Sequence, residues 1–464
     1  MNKLFTQITW SISCVSAVRV SATIPNWNNV TVVSHFANNP GEVPLTGSFQ
    51  TCFTVQLNVG GTNFKVQVDT GSSDLAVPNK GLNSYAGPTL NLAANNKLVQ
   101  ATYGSGSWSG YAYNGVVSLT NSVSANNAPF AAMMKQTNMA DGVKIQGILG
   151  VAYDSISTLG TTPRTVMDAW YQAGVLQNNE IAFHACPSNL MSQAYIDFGN
   201  SDPSFSCNPS GSPYVWAESP STNYYTINVL DILIGGSSAP VPSTFQEAQL
   251  SDGSQSWTVV DSCTSILLLP DSVVQALVTK ILNSGAVPSN WPQSTINSFF
   301  NVESVVSNPG FNWAKFPTLS FVIDSGTGSN FQITLSANEY IQQTANGQYQ
   351  FLVLSGNDYM AILGIPLFTG LDIVFDRANT RVGFSLGCGC STSTSKFPDI
   401  VSNQGSAWNN IGGSSLTANT TTPAGSINGT KSNNLNQTNS ETGVKKTSLF
   451  LETLLSFLAS IMIF

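Results

Sequence analysis

VDTGSSDLAVP, residues 68–78, and VDSCTSILLLP, residues 260–270, are one phrase written twice. Both fit V-D-[ST]-x-[ST]-S-x-L-x-x-P, with Asp69 and Asp261 in the second place. One Asp-Thr-Gly is weak evidence, because Asp, Ser and Gly are ordinary turn residues. Two copies, each behind an apolar strand, describe a unit used twice. The repeat runs further: Gly147-Ile148-Leu149-Gly150 follows the first phrase, and Ala361-Ile362-Leu363-Gly364 follows the second. Two copies of one unit predict two similar lobes facing each other across a pseudo-two-fold axis. A site between them would receive one aspartate from each.

The texture around the repeats is mostly β. TCFTVQLNV, NFKVQVD, YYTINVLDILIGG, FPTLSFVID and LDIVFDRANTRVGFSLG alternate apolar with polar residues and break at Gly, Asn or Asp-Arg turns. Helical patterns are few. RTVMDAWYQAGV from Arg164 and DSVVQALVTKILNSGAV from Asp271 are the clear ones, the second starting at Pro270-Asp271 and stopping at Gly285.

Two carboxylates within hydrogen-bonding range cannot both ionise cheaply, so the pair holds one proton over a wide acidic range. One is then a base and the other an acid. A water between them is activated by the first while the second protonates a substrate carbonyl, which hydrolyses an amide without a covalent intermediate. Val68 and Val260 are expected to bury the strand behind each carboxylate. Thr70 and Ser262 offer hydroxyls that reach across to the opposite lobe, and Ser72 and Thr264 can fix the carboxylate planes. ATYGSGSWSGYAY, from Ala101, places Tyr103 and Trp108 about the tip Gly104-Ser105-Gly106. That is a hairpin pattern, expected to close over a cleft on an extended peptide, with Trp108 as a bulky wall.

In chain order stand Asp69-Thr70-Gly71-Ser72, the flap-like Tyr103-Gly104-Ser105-Gly106, Gly147-Ile148-Leu149-Gly150, Asp261-Ser262 and Val374-Phe375-Asp376-Arg377-Ala378. Together they resemble the pepsin-like aspartic proteases, from Pro44 to Cys390. The resemblance implies the bilobal pepsin-like acid protease fold, with two similar β lobes and an active-site cleft between them. It also implies Asp69 and Asp261 as the dyad, Tyr103 as the flap tyrosine, and hydrolysis of extended peptides at acidic pH. Ala76, where many members have Trp, is similar to the membrane-anchored β-secretase type. So is Cys186, placed to pair with Cys388 or Cys390.

Three departures stand out. Cys263 occupies the place of Gly71, where the family usually has Gly in both lobes, and a β-carbon there could tilt Asp261. A catalytically impaired peptide-binding homologue is therefore the alternative reading. If Cys263 is a thiol, the other cysteines cannot all pair. Asp74 replaces the usual Asn, a carboxylate that could move the dyad's titration or simply face solvent. No Lys or Arg lies between Arg19 and Lys65, so a pepsinogen-like basic mask is not expected.

Charged residues make up 9% of the 464, and the formal net charge is −8. No basic surface exists to hold nucleic acid. There are two histidines, His35 and His184, and no H-E-x-x-H pattern, so neither a metal nor another cofactor is expected.

The ends suggest the secretory pathway. Residues 1–22 are expected as a signal peptide, with small-residue cleavage patterns ending at Ala17 and Ala22; the other reading is a buried first strand. Removing it takes Cys14 away and leaves Cys52, Cys186, Cys207, Cys263, Cys388 and Cys390, an even set suited to disulfides. A short extension, 23–43, would precede an N-terminal lobe, 44–205, and a C-terminal lobe, 206–390. Residues 391–447, rich in Ser, Thr and Asn, are expected as a glycosylated stalk with sequons at Asn419, Asn428 and Asn436; a fourth lies at Asn29. The tail, 448–464, is apolar but short and interrupted by Glu452. With Asn439, Ser440 and Gly443 before it, it matches a glycolipid-anchor signal better than a spanning helix. Such a tail after such a stalk is similar to the yapsins of fungi. The expected mature protein is a monomer at the cell surface, anchored through lipid and acting on peptides or proteins.

Overall fold

The computed structural model describes residues 18–22, 46–48, 52–83, 85–185, 194–199, 214–250, 253–344, 347–386 and 398–402. Cys186, Cys207, Cys388 and Cys390, the sequons at Asn29, Asn419, Asn428 and Asn436, and the anchor candidates Asn439, Ser440 and Gly443 lie outside the described residues, as does the apolar tail. Among the described residues no helix is long and apolar enough to cross a membrane.

Each phrase of the repeat becomes the same device. In the N-terminal lobe, Thr62–Asp69 runs parallel to Ile148–Gly150, with Val68 opposite Leu149 and Asp69 opposite Gly150. Leu75–Pro78 pairs antiparallel on the other side of Ile148–Gly150. In the C-terminal lobe, Thr258–Val260 runs parallel to Ile362–Leu363, and Leu267–Leu269 returns antiparallel beside it. The aspartate thus leaves one strand at a turn, and the chain comes back on the far side of the short strand that ends in glycine. The four strand residues Val68, Leu149, Val260 and Leu363 are fully buried. Burying a Val or Leu side chain contributes roughly 1.5–3 kcal/mol, which anchors both turns from behind.

The glycines closing the two short strands are required by close approach. A β-carbon on Gly150 would lie 2.5 Å from the backbone nitrogens of Ser73 and Asp74, and one on Gly364 would lie 2.1 Å from the carbonyl oxygen of Thr264. Each aspartate-bearing turn therefore rests directly on a bare backbone, which is why the second half of the repeat ends in Gly.

The N-terminal lobe is one eight-stranded sheet that continues through the long hairpin Ser107–Ser118 and Ser124–Thr137 to the edge strand Leu98–Thr102. The C-terminal lobe carries two five-stranded sheets. A six-stranded sheet joins the lobes, pairing Glu180–His184 with Leu371–Asp376 over five residues. Its outer strand is Val18–Ala22, paired antiparallel with Ala194–Phe198. That strand occupies the last five residues of the expected leader. At the other end Asp399–Ser402, inside the expected stalk, is a strand that pairs with Asn330–Leu335 and buries Ile400. The folded lobe therefore reaches Ser402, past the expected boundary at Cys390.

The expected helices form at Val166–Gln172 and Asp271–Ser284. Gly285 ends the second with φ +72°, a left-handed conformation suited to glycine. The helix Gln293–Phe300 carries no clear pattern of its own and is held by packing, Phe299 and Phe300 being buried against Phe351.

Candidate active site

The structure brings Asp69 and Asp261 together, one at the end of each parallel-strand device. Their hydrogen-bond partners match position for position. Asp69 Oδ1 accepts from the Gly71 backbone N–H at 2.8 Å, and Asp261 Oδ1 accepts from the Cys263 backbone N–H at 2.8 Å. Ser72 Oγ donates to Asp69 Oδ2, and Thr264 Oγ1 donates to Asp261 Oδ2 at 2.6 Å. The two carboxyls also lie within hydrogen-bonding reach of each other. Asp69 is buried and Asp261 half-buried. Burial first, and the charge of Asp261 second, hold the Asp69 carboxyl well above the usual carboxylate range. The pair therefore retains a proton at pH values where an isolated aspartate is ionised.

Thr70 and Ser262 bond across the lobes in reciprocal fashion. Thr70 N–H donates to Ser262 Oγ at 3.1 Å and Ser262 N–H donates to Thr70 Oγ1 at 2.9 Å. Each hydroxyl then donates to the strand behind the opposite aspartate, Thr70 Oγ1 to the Val260 carbonyl at 3.0 Å and Ser262 Oγ to the Val68 carbonyl at 2.8 Å. Both hydroxyls are fully buried with donor and acceptor capacity used, so the two turns are fixed at one height. Tyr225 adds a further cross-lobe bond, its hydroxyl donating to the Val151 carbonyl at 2.6 Å.

The hairpin tip is closed by Tyr103 N–H donating to the Gly106 carbonyl at 2.7 Å. Asn138 Nδ2 donates to the Ser105 carbonyl at 3.2 Å and braces Gly104-Ser105-Gly106 from the side. Tyr103 is half-buried, and its phenol titrates well above its ordinary value through burial first and the charge of Asp69 second. Trp108 differs from expectation. It is only 2% exposed, clustered with Ala76, Met133 and Ile148, and its Nε1 donates to Tyr103 Oη at 3.1 Å. The indole is thus no open wall of the cleft: the hairpin orients its own tyrosine, and Ala76 leaves the room beneath it.

Asp74 is also resolved differently from both expectations. It is 3% exposed and accepts from Ser157 Oγ at 2.7 Å and from the Thr158 N–H and hydroxyl. Its carboxylate ties the first turn to the loop after Gly150 instead of facing the dyad or solvent. Arg377 is a buried clamp, with Nη1 bonded to Asp168 Oδ1 at 2.9 Å and Asn179 Oδ1 at 2.8 Å, and Nη2 to the Ala152 carbonyl at 3.2 Å.

Cys263 is not a thiol. It is joined by a disulfide to Cys52, with the α-carbons 4.8 Å apart and the two residues 211 positions apart in sequence. Cys52 opens the strand Cys52–Val59 of the N-terminal lobe, so the bond crosses between lobes. Sequence spacing carried no sign of this pairing; only the two-fold packing brings the start of that strand under the second turn.

Comparison with known proteins agrees with this geometry. A family model described as eukaryotic aspartyl protease matches residues 52–386. Gastricsin of Callithrix jacchus is 28% identical over 340 residues, covering 70% of this chain and 78% of that protein. Pepsin A of Canis lupus familiaris is 26% identical over 345 residues, covering 72% and 80%. A pregnancy-associated glycoprotein of Equus caballus is 27% identical over 337 residues, covering 69% and 77%.

Proposed function

The chain belongs to the eukaryotic aspartyl protease family, and from that premise we propose that it is a secreted endopeptidase that cleaves extended polypeptides at acidic pH. Asp69 and Asp261 share the proton and activate the water. The observation that carries this reading is the matched set of hydrogen bonds on the two carboxyls. An impaired homologue would need a displaced Asp261, and the Cys263 N–H keeps the same 2.8 Å bond that Gly71 makes. In the step itself, the ionised carboxyl takes a proton from the water, the oxygen attacks the amide carbon, and the protonated carboxyl donates to the carbonyl oxygen. Collapse breaks the C–N bond as the nitrogen leaves with a proton. Tyr103, held by Trp108, closes over the peptide. The decisive test is cleavage of a mixed peptide library, with Asp69→Asn as the control.

The secretory reading rests on the leader, the disulfide and the stalk, and the glycolipid anchor on the tail. A disulfide belongs to an oxidising compartment. Of the two cleavage patterns, the five-residue pairing of Val18–Ala22 favours the one ending at Ala17, because cleavage after Ala22 would strip the outer strand from the sheet that joins the lobes. N-terminal sequencing of the secreted protein is expected to read Val-Arg-Val-Ser-Ala; a start at Thr23 would discard this assignment.

Stability should also favour acid. Asp69 is raised as described, and burial pushes Glu339 up to about 7. Burial alone would lower His184, but Asp372 and Asp197 beside its ring push it up to about 9. All three hold protons in the fold that the unfolded chain releases, so their contribution is full below the unfolded values and disappears as pH rises through the folded ones. The melting temperature is expected to be highest in acid and to fall up to about pH 9. His184→Gln should flatten the uppermost part of the fall. A melting temperature that climbs between pH 5 and 8 would contradict this account.

A further inference from the structure

The place shared by Gly71 and Cys263 is crowded. A β-carbon on Gly71 would lie 2.9 Å from Asp261 Oδ2 and 3.0 Å from Asp261 Cγ. By the two-fold relation of the turns, a side chain at 263 would have the corresponding outlook toward the first carboxyl. Cys263 carries such a side chain, yet its turn keeps both bonds to Asp261. Its sulfur is taken by Cys52, a buried residue whose backbone stands at φ +59° where the strand begins. For a residue other than glycine that conformation is disfavoured, and here it sits at the residue that joins the second turn.

We infer that Cys52 is a positioning residue for the aspartate pair: by binding Cys263 sulfur it draws that side chain away from the carboxyls and pins the turn that carries Asp261. The cysteine at 263 and the cysteine at 52 are then interdependent. Without its partner, the Cys263 thiol is free to take other staggered rotamers, and those include directions toward the dyad. Glycine at 263 needs no such restraint.

This rests on the endopeptidase reading, and the experiment separates the two. Wild type, Cys52→Ala and the double variant Cys52→Ala/Cys263→Gly are compared for kcat and KM on a cleaved peptide. Their affinity for a peptide bearing a hydroxyl in place of the scissile carbonyl is measured by calorimetry, which reads dyad geometry without turnover. Cys52→Ala is expected to lose about 100-fold in kcat, the scale of a misplaced catalytic group, with KM nearly held and the hydroxyl peptide bound more weakly. The double variant should recover most of both. Both variants lack the disulfide, so equal losses in the two would assign the bond to stability alone and overturn the positioning role. So would full activity in Cys52→Ala, or failure of both variants to fold. Folding of the double variant alone would support it. If wild type cleaves nothing but the affinities keep the expected order, the endopeptidase reading falls and the positioning role stands. If the affinities do not differ either, both fall.

Discussion

Asp69→Asn is expected to lower kcat by about 10³- to 10⁴-fold, the upper range for loss of a general acid–base group, while the fold survives. The substitution is nearly isosteric. Asn Oδ1 can accept from the Gly71 N–H as Asp69 Oδ1 does, and the amide nitrogen can donate to Ser72 Oγ, which rotates to accept. What disappears is a group that can take a proton from water and return it. Because buried Asp69 already holds its proton beside the second carboxyl in acid, the neutral amide removes no charge there, so the melting temperature should hold in acid and rise at the higher pH where Asp69 would ionise. Peptide cleavage and thermal unfolding on the same preparation check both parts. Substantial cleavage by a folded Asp69→Asn protein would place the chemistry elsewhere.

Gly364→Ala should be the most damaging small substitution in the C-terminal lobe. The new methyl would lie 2.1 Å from Thr264 O and 2.3 Å from Ile266 O. Both are backbone atoms, and the Thr264 carbonyl already accepts from the Ile365 N–H at 2.8 Å, so neither can turn aside cheaply. Overpacking of this kind costs about 3 kcal/mol, occasionally more, and here the displaced segment is the turn holding Asp261. Urea unfolding should show the loss, and any folded fraction should cleave slowly. Gly356→Ala is the control, because its added carbon would meet Leu268 Cβ at an ordinary 3.4 Å. Equal stability of the two variants would mean that the turn does not depend on the bare backbone at 364.

The repeated phrase was legible because it is local: a strand, an aspartate and a turn occupy eleven consecutive residues. The same holds for the hairpin tip and for the helix stopped by Gly285. The reciprocal bonds of Thr70 and Ser262 could be foreseen from residue type once two facing lobes were assumed. Contacts between residues far apart in sequence were less accessible. Asp74 looked like a free carboxylate because its partners, Ser157 and Thr158, belong to a loop with no motif. Trp108 looked like a cleft wall because alternation along a strand does not say which face is covered. Cys263 looked unpaired because Cys52 stands alone before its strand. The strand Asp399–Ser402 was hidden by Ser- and Thr-rich neighbours, although Ile400 gives it an apolar residue to bury.

The ties between the lobes also govern how a substrate can get in. The bonds of Thr70 and Ser262 and the Cys52–Cys263 link lie at the floor of the cleft, while the six-stranded sheet spans both halves. On the proposed function, a protein of this build is a clamp riveted at its hinge, and its lobes are expected to stay close about the two aspartates rather than part to admit a folded chain. Entry would then fall to the hairpin tip, whose few residues would lift and settle with each turnover. On that reading the cargo would arrive already unravelled, and exposed loops and tails of target proteins, more than their compact domains, would be the prey of this cleft.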